Sequence, residues 1–346
     1  MPELKLYTIA QLRAWLEENQ VVDGLSETIV APQRAYAIIH NPYVKDADPV
    51  VAAIFVDGKN VAYTSAFPEM IEGKRYWWFS GLWCDPKHEG NGYGLIVIGS
   101  LVEVYGAEYC LDRWGAKATV EIFTYFGHKT VHMPRYVIGT KIDQTTHRGR
   151  IIYQARVLQK RIHEWFSKSP KVDYCLRYVP VVDKDTYNFI EANSERYYFH
   201  HTQEFLNWVL QYPFSASTPL IERVREKMPF SESETKRTQL YAVQVLRNDK
   251  LSGFYILKER EESLHVLYLY YEEGQKEQVF ASIWEHMKRL SLMQCITENK
   301  DLADYLNKYL FFAKHRVENI SYSYPLTKEQ PANQIMQFAD GDCFTA

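Results

Sequence analysis

The amino-acid sequence predicts an α/β protein built as two similar halves. Three observations carry that reading. The chain has 346 residues, enough for two domains at about 150 residues each. Runs rich in β-branched and aromatic residues, closed by hairpin turns, alternate with stretches of helical spacing. The order of these elements in the first half recurs in the second. Hydrophobic residues make up 46% and charged residues 24%, which excludes a collagen-like or wholly disordered chain. Aromatic residues reach 15%, a bias that suits cores, interfaces and pockets for flat or extended ligands.

Taken in order, residues 6 to 20 and 33 to 40 have helical spacing, and Asn41-Pro42 marks a stop. Val50 to Val56 is a strand ended by Asp57-Gly58, a strong hairpin signal, and Asn60 to Phe67 is the returning strand. A looser turn, carrying Glu69 and Glu72, leads into Arg75 to Cys84. This third strand is apolar at nearly every position, as a strand covered on both faces should be. The run Asp85-Pro86-Lys87-His88-Glu89-Gly90-Asn91-Gly92-Tyr93-Gly94 follows, then a helix from about Tyr93 to Tyr105. Three glycines at alternate positions between a strand and a helix let several N–H groups converge beside the positive end of the helix dipole, a candidate phosphate cradle. A plain turn is the other reading. No GK[ST] follows, which excludes a Walker loop, and Gly94 falls one residue too early for a dinucleotide fingerprint.

These residues resemble the general control non-repressible-5-related N-acetyltransferases, the GNAT superfamily. Cys84-Asp85-Pro86 is similar to that family's strand end, Glu89 to Gly94 to its loop, the preceding hairpin to its order of elements, and Ala118 to His128 to its later helix. The resemblance covers roughly residues 45 to 140. It implies that each half is a mixed, mostly antiparallel twisted sheet flanked by helices, and that acyl-CoA lies where the central strands splay apart. It places the pyrophosphate on the amides of Glu89, Gly90, Asn91, Gly92, Tyr93 and Gly94, and the pantetheine arm along Leu82, Trp83 and Cys84. Backbone donors there would polarise the thioester, with Gly81 marking a bulge that aims them. Acetyl-CoA is the implied co-substrate, and an amine on a small molecule or peptide the acceptor. The sequence departs from the family at four places: Glu89 stands where Arg or Gln is usual, Phe123 where a Tyr often protonates the leaving thiolate, Ala116 for a frequent Asn, and His128 for a Phe.

Direct transfer also requires a neutral amine, hence a base or a water chain. The strand Arg75 to Cys84 has no carboxylate. Candidates are Ser80 within it, Glu69 and Glu72 on the turn before it, and Tyr125, which lies about 200° around the helix from Phe123. Against each stands a plainer role: a satisfied strand serine, a solvated turn, and a poor match in register. Asp85 reads as a turn or cap residue, and His88 and His128 as titrating groups or exposed loop histidines.

Residues 146 to 168 read as a basic amphipathic helix, with Ile151, Ile152, Val157, Leu158, Ile162, Trp165 and Phe166 on its apolar side, ended by Ser169-Pro170. The expected organisation is therefore a first domain over 1–145, a connecting helix over 146–169, a second domain over 170–326 and a tail over 327–346. In the second domain Tyr241 to Leu246, the turn Asn248-Asp249-Lys250 and Leu251 to Lys258 parallel the first hairpin. Ser263 to Tyr271 parallels the third strand, Lys276 to Leu290 the helix after it, and Asp301 to Phe312 the later helix. Its strand-to-helix loop, Glu272-Glu273-Gly274-Gln275, has one glycine and two carboxylates, which repel a pyrophosphate. The second domain is expected to be a degenerate copy.

The paired His200-His201 lacks a third ligand nearby in sequence, so no metal is expected. The tail after Pro325 shows no role. Five widely spaced cysteines, an N-terminus without an apolar core and no run of ~20 apolar residues point to a reduced, cytoplasmic protein without a membrane span. A net charge of −3 argues against a nucleic-acid surface. A monomer or homodimer is expected. Two rivals to acetyl transfer stay open: a binding or regulatory protein that keeps the fold without catalysis, and an aminoacyl or peptidyl transferase of the tandem kind.

Overall fold

The computed structural model describes residues 1–19, 29–30, 32–113, 115–140, 146–166, 174–212, 238–308, 315–328 and 334–341. The first half opens with an unexpected strand, β1 (Glu3–Thr8), whose alternating residues pair antiparallel with β2 (Pro49–Val56). Helical spacing from residue 6 thus begins too early. Helix α1 spans Ile9–Asn19 and α2 spans Pro32–Ile39. Strand β2 turns at Asp57-Gly58 into β3 (Lys59–Ile71), with both turn residues at positive φ, the geometry a tight hairpin demands. A second hairpin at Glu72-Gly73 leads into β4 (Lys74–Cys84). Strand β3 therefore runs well past Phe67, and Glu69 belongs to it.

Asp85 caps a short 3₁₀ turn, its carboxylate accepting the Lys87 N–H at 2.9 Å, so the cap reading of Asp85 holds. Helix α3 covers Tyr93–Tyr105, followed by β5 (Cys110–Arg113), α4 (Lys117–Tyr125) and β6 (His128–Gly139). The connecting helix α5 spans His147–Phe166. Ile151, Ile152, Leu158 and Ile162 on its expected apolar side are exposed, and the side chains of Trp165 and Phe166, with Ser169-Pro170, lie outside the described residues.

The second half comprises β7 (Cys175–Val179), α6 (Lys184–Ala192), α7 (Gln203–Gln211), β8 (Thr238–Arg247), β9 (Lys250–Arg260), β10 (Ser263–Tyr271), α8 (Lys276–Arg289), β11 (Gln294–Thr297), α9 (Lys300–Asn307) and β12 (His315–Pro325). The duplicated plan extends to irregularities. A register shift between Ile54 and Phe55 at the end of β2 recurs between Val245 and Leu246 at the end of β8, and a bulge late in β4 recurs in β10. The last part of the helix expected to Phe312 lies outside the described residues.

The twelve strands among the described residues form one sheet in the order β1-β2-β3-β4-β5-β12-β6-β11-β10-β9-β8-β7. The halves exchange their final strands. Strand β6 leaves the first half and pairs with β11, while β12 returns to pair with both β5 and β6. One hydrophobic core consequently runs from β2–β4 and α3 across to Tyr268, Tyr270, Tyr322 and Tyr324, and a second packs α8 and α9 onto β9–β11. No described helix is long and apolar enough to cross a membrane.

Candidate functional site

Strands β4 and β5 are parallel neighbours only over Trp77↔Cys110, Trp78↔Leu111 and Phe79↔Asp112. Past that point they part. The wedge between them is a cavity of about 270 Å³ lined by Thr64, Ser80, Gly81, Leu82, Asp112 and Arg113, with Phe79, Ile98 and the start of α4 completing its wall. Across the β3–β4 ladder the pairs Tyr63↔Trp83 and Ser65↔Ser80 leave Gly81 and Leu82 opposite Thr64 alone. Gly81 sits at φ +69°, so the expected bulge is present at the expected residue, and it faces the cavity. A side chain there would also displace a neighbour. A Cβ there would lie 2.8 Å from Cζ and Nε of the buried Arg34 guanidinium on α2.

The glycine loop adjoins this cleft. Gly92, at φ +75°, is the N-cap of the 13-residue α3, and Gly90 is at φ +84°. A Cβ on either would meet nothing within 4 Å, so the backbone faces open space. Gly94, two residues further in, would bring a Cβ to 3.8 Å from Leu82, which joins loop and cavity. Glu89, Gly90, Asn91 and Gly92 are exposed and Tyr93 and Gly94 half-buried. Trp83 packs on Tyr63 with ring centroids 6.1 Å apart. Cys84 is half-buried, and burial followed by the Glu89 carboxylate raises its thiol above the ordinary value.

The candidate acids and bases separate. Ser80 lines the cavity, is 3% exposed, and its carbonyl accepts the Ser65 hydroxyl at 2.6 Å. Tyr125 ends α4 at 76% exposed and lies outside the cavity. Phe123, by contrast, is buried edge-on between Phe79 and His128. His128 is not an exposed loop histidine: it is buried, its Nε2 sits 3.0 Å from the Cys110 carbonyl, and burial lowers its pKa. Glu72 is in the exposed β3–β4 turn.

Glu69 departs most from its sequence reading. Far from being a solvated turn residue, it is 1% exposed, accepts the Trp78 indole N–H at 2.6 Å and lies 2.5 Å from Nδ1 of His201. The other ring nitrogen of His201 is 2.8 Å from the Asp340 carboxylate. Burial opposes charge on this imidazole, but the two carboxylates outweigh it and raise its pKa to about 10. Both ring nitrogens are thereby taken, and among the described residues no group of three or more His, Cys, Asp and Glu is placed to hold a metal ion.

The charges continue in alternation. Asp340 lies 3.7 Å from Arg113, whose guanidinium also pairs with Glu298, and Glu298 lies 3.5 Å from Arg135. Burial pushes Glu298 up to about 6 against the pull of Arg113 and Arg135. Asp112, Arg113, Arg34 and Asp340 are the residues sequence reasoning missed, and His201, weighed there only as a metal ligand, sits between two carboxylates. The one local signal was a charged pair, Asp112-Arg113, inside an otherwise apolar strand. Within the segment after Pro325, residues 336–340 are buried, and Asp340 is fully so.

No protein-family model matches this sequence, and no curated protein does. Solved structures do match its fold. A putative acetyltransferase from Pyrococcus horikoshii superposes with a TM-score of 0.53 at 8% identity, covering 99% of this chain and 95% of its own. A conserved protein from Enterococcus faecalis V583, described as a probable N-acyltransferase, gives 0.52 at 12% identity over 93% of this chain and 72% of its own. A tandem GNAT protein from the clavulanic acid biosynthesis pathway gives 0.50 at 8% identity over 95% of this chain and 100% of its own. At such identities the likeness establishes architecture alone. With the splayed β4–β5 pair, the bulge at Gly81 and the repeated plan, this chain has the fold of the tandem GCN5-related N-acetyltransferases.

Proposed function

We propose that the protein is an acyltransferase that moves an acetyl group from acetyl-CoA directly to an amine, using the cleft of its first half. The observation that carries this reading is the cavity of about 270 Å³ at the β4–β5 divergence, bounded by a bulged strand whose Leu82 lies next to the glycine loop at a helix N-terminus. The residues present fit that ligand. The amides around Gly90 to Gly94 suit a diphosphate, because helix N-terminal N–H groups and the dipole both favour an anion. The bulge at Gly81-Leu82 interrupts the ladder beside the cavity, where backbone donors would stabilise the oxyanion that forms when the amine nitrogen bonds to the thioester carbon. The C–S bond then breaks and the amine proton must leave. Asp112 is the carboxylate lining the cleft and is assigned that proton, directly or through water; Glu69 is committed to Trp78 and His201.

Calorimetry with acetyl-CoA tests the site. Binding at one per chain is expected, weakened at least tenfold by Gly92→Asp, which sets a carboxylate against the anion. No binding at millimolar ligand sinks the reading. A second reading, a ligand-binding protein without turnover, is favoured by Phe123, which puts a phenyl ring where a proton donor is expected. Coenzyme A release over an amine panel separates the two: an active enzyme loses turnover in Asp112→Asn while keeping acetyl-CoA affinity, and an inactive one releases no thiol with any amine.

A further inference from the structure

The second half contains the same wedge, and there it is filled. Strands β10 and β11 are parallel over Ser263↔Gln294, Leu264↔Cys295 and His265↔Ile296 and then part, as β4 and β5 do. Strand β10 is bulged at this point, with Leu267 unpaired between Val266↔Leu257 and Tyr268↔Ile256. The chain's own C-terminal segment occupies the gap. The Ala339 N–H donates to the Leu267 carbonyl at 3.2 Å, the Leu269 N–H to the Gln337 side-chain oxygen at 2.7 Å, and the Tyr268 hydroxyl to the Ala339 carbonyl at 3.1 Å. Upstream, Ile335 bridges Tyr197 and exchanges hydrogen bonds with Arg196 and Tyr198 at 2.8 and 3.0 Å. Phe338 lies under the Arg135 guanidinium, 4.4 Å away. What remains open between segment and strands is about 10 Å³, room for about one water, against about 270 Å³ in the first half.

From this seat the segment reaches the first cleft. The Gln337 and Asp340 carbonyls accept from the Arg113 guanidinium at 2.5 and 3.2 Å, and Arg113 lines the first cavity. Gly341, at φ +70°, runs so close to Trp78 of β4 that a Cβ would fall 2.7 Å from its ring.

We propose that residues 335–340 are a tethered peptide ligand of the second cleft, taking the bulge of β10 in place of any external chain and, through Arg113, coupling that seat to the first cleft. The second half then binds no acyl carrier for two reasons: Glu272 and Glu273 on its loop, and a wedge already occupied. Coupling is reciprocal, so a first-cleft ligand that favours the Arg113 position bonded to Gln337 and Asp340 also holds the segment more firmly.

Hydrogen–deuterium exchange of the full chain, with and without acetyl-CoA, tests this. Peptides over 263–271 and 334–341 are expected to exchange slowly and together. Gln337→Ala and Asp340→Asn each speed both by tenfold or more, and peptides over 110–113 follow. Saturating acetyl-CoA, bound at one per chain, slows 334–341 as well as 79–84. The proposal is overturned if the variants free 334–341 while 263–271 stays protected, or if wild-type protein binds two acetyl-CoA with new protection over 263–271. The acetyl-CoA arm rests on the acyltransferase reading. Should the ligand fail to bind at all, that reading falls alone, because the variant arm still decides the tethered segment.

Discussion

Residues whose surroundings invert their sequence reading mark where the energetics of this protein concentrate. Glu69 looks like a turn carboxylate and is instead one end of a buried alternation, Glu69, His201, Asp340, Arg113, Glu298 and Arg135. Replacing one member of such a chain leaves its neighbour's charge buried and unmatched. Glu69→Gln is therefore expected to cost about 3–5 kcal/mol in denaturant unfolding. The chain also predicts a pH dependence. The folded pKa of His201, about 10, lies above the ordinary imidazole value of about 6.5, so its charge contributes fully below about 6.5 and that contribution is lost as pH rises through about 10. Stability is expected to decline across that window, and His201→Gln to abolish the decline; an equal slope in the variant contradicts the assignment.

At the scale of elements, what the cleft needs was visible in the sequence wherever the cause is local. The Asp57-Gly58 hairpin and the limits of α3 follow from turn chemistry and hydrophobic period, and both are found as read. Gly81 was legible as a bulge because glycine within an apolar strand has few other uses. Its contact with Arg34 was not, since Arg34 lies 47 residues upstream in the chain. Gly81→Ala meets both constraints at once, a left-handed backbone and a blocked Cβ. It is expected to destabilise by about 1–2 kcal/mol and to weaken acetyl-CoA binding, both read from ligand-dependent thermal shifts. A variant as stable as the parent contradicts this account of the bulge.

For the whole molecule, the exchanged strands β6 and β12 decide the behaviour. Neither half completes its sheet without the other, and the first core is shared between them. Unfolding followed by tryptophan fluorescence and by far-ultraviolet circular dichroism is therefore expected to give one coincident transition. Ser321→Pro sets a proline in the middle of β12, inside its ladder with β6, and is expected to lower that single transition by about 3 kcal/mol. Two separable transitions contradict a shared sheet.

The sequence by itself determined the α/β class, the duplicated plan, the β2–β3 hairpin and the loop-to-helix step that adjoins the cleft, because each is written in neighbouring residues through turn chemistry and side-chain period. Only the tertiary structure decided that the halves trade strands, that Glu69 and Asp340 clasp His201, and that the C-terminal segment fills the second wedge. Those features join residues up to 271 positions apart, from Glu69 to Asp340. A hydrogen bond or an ion pair forms between groups that folding brings within about 3 Å, and no local pattern records which distant partner will arrive.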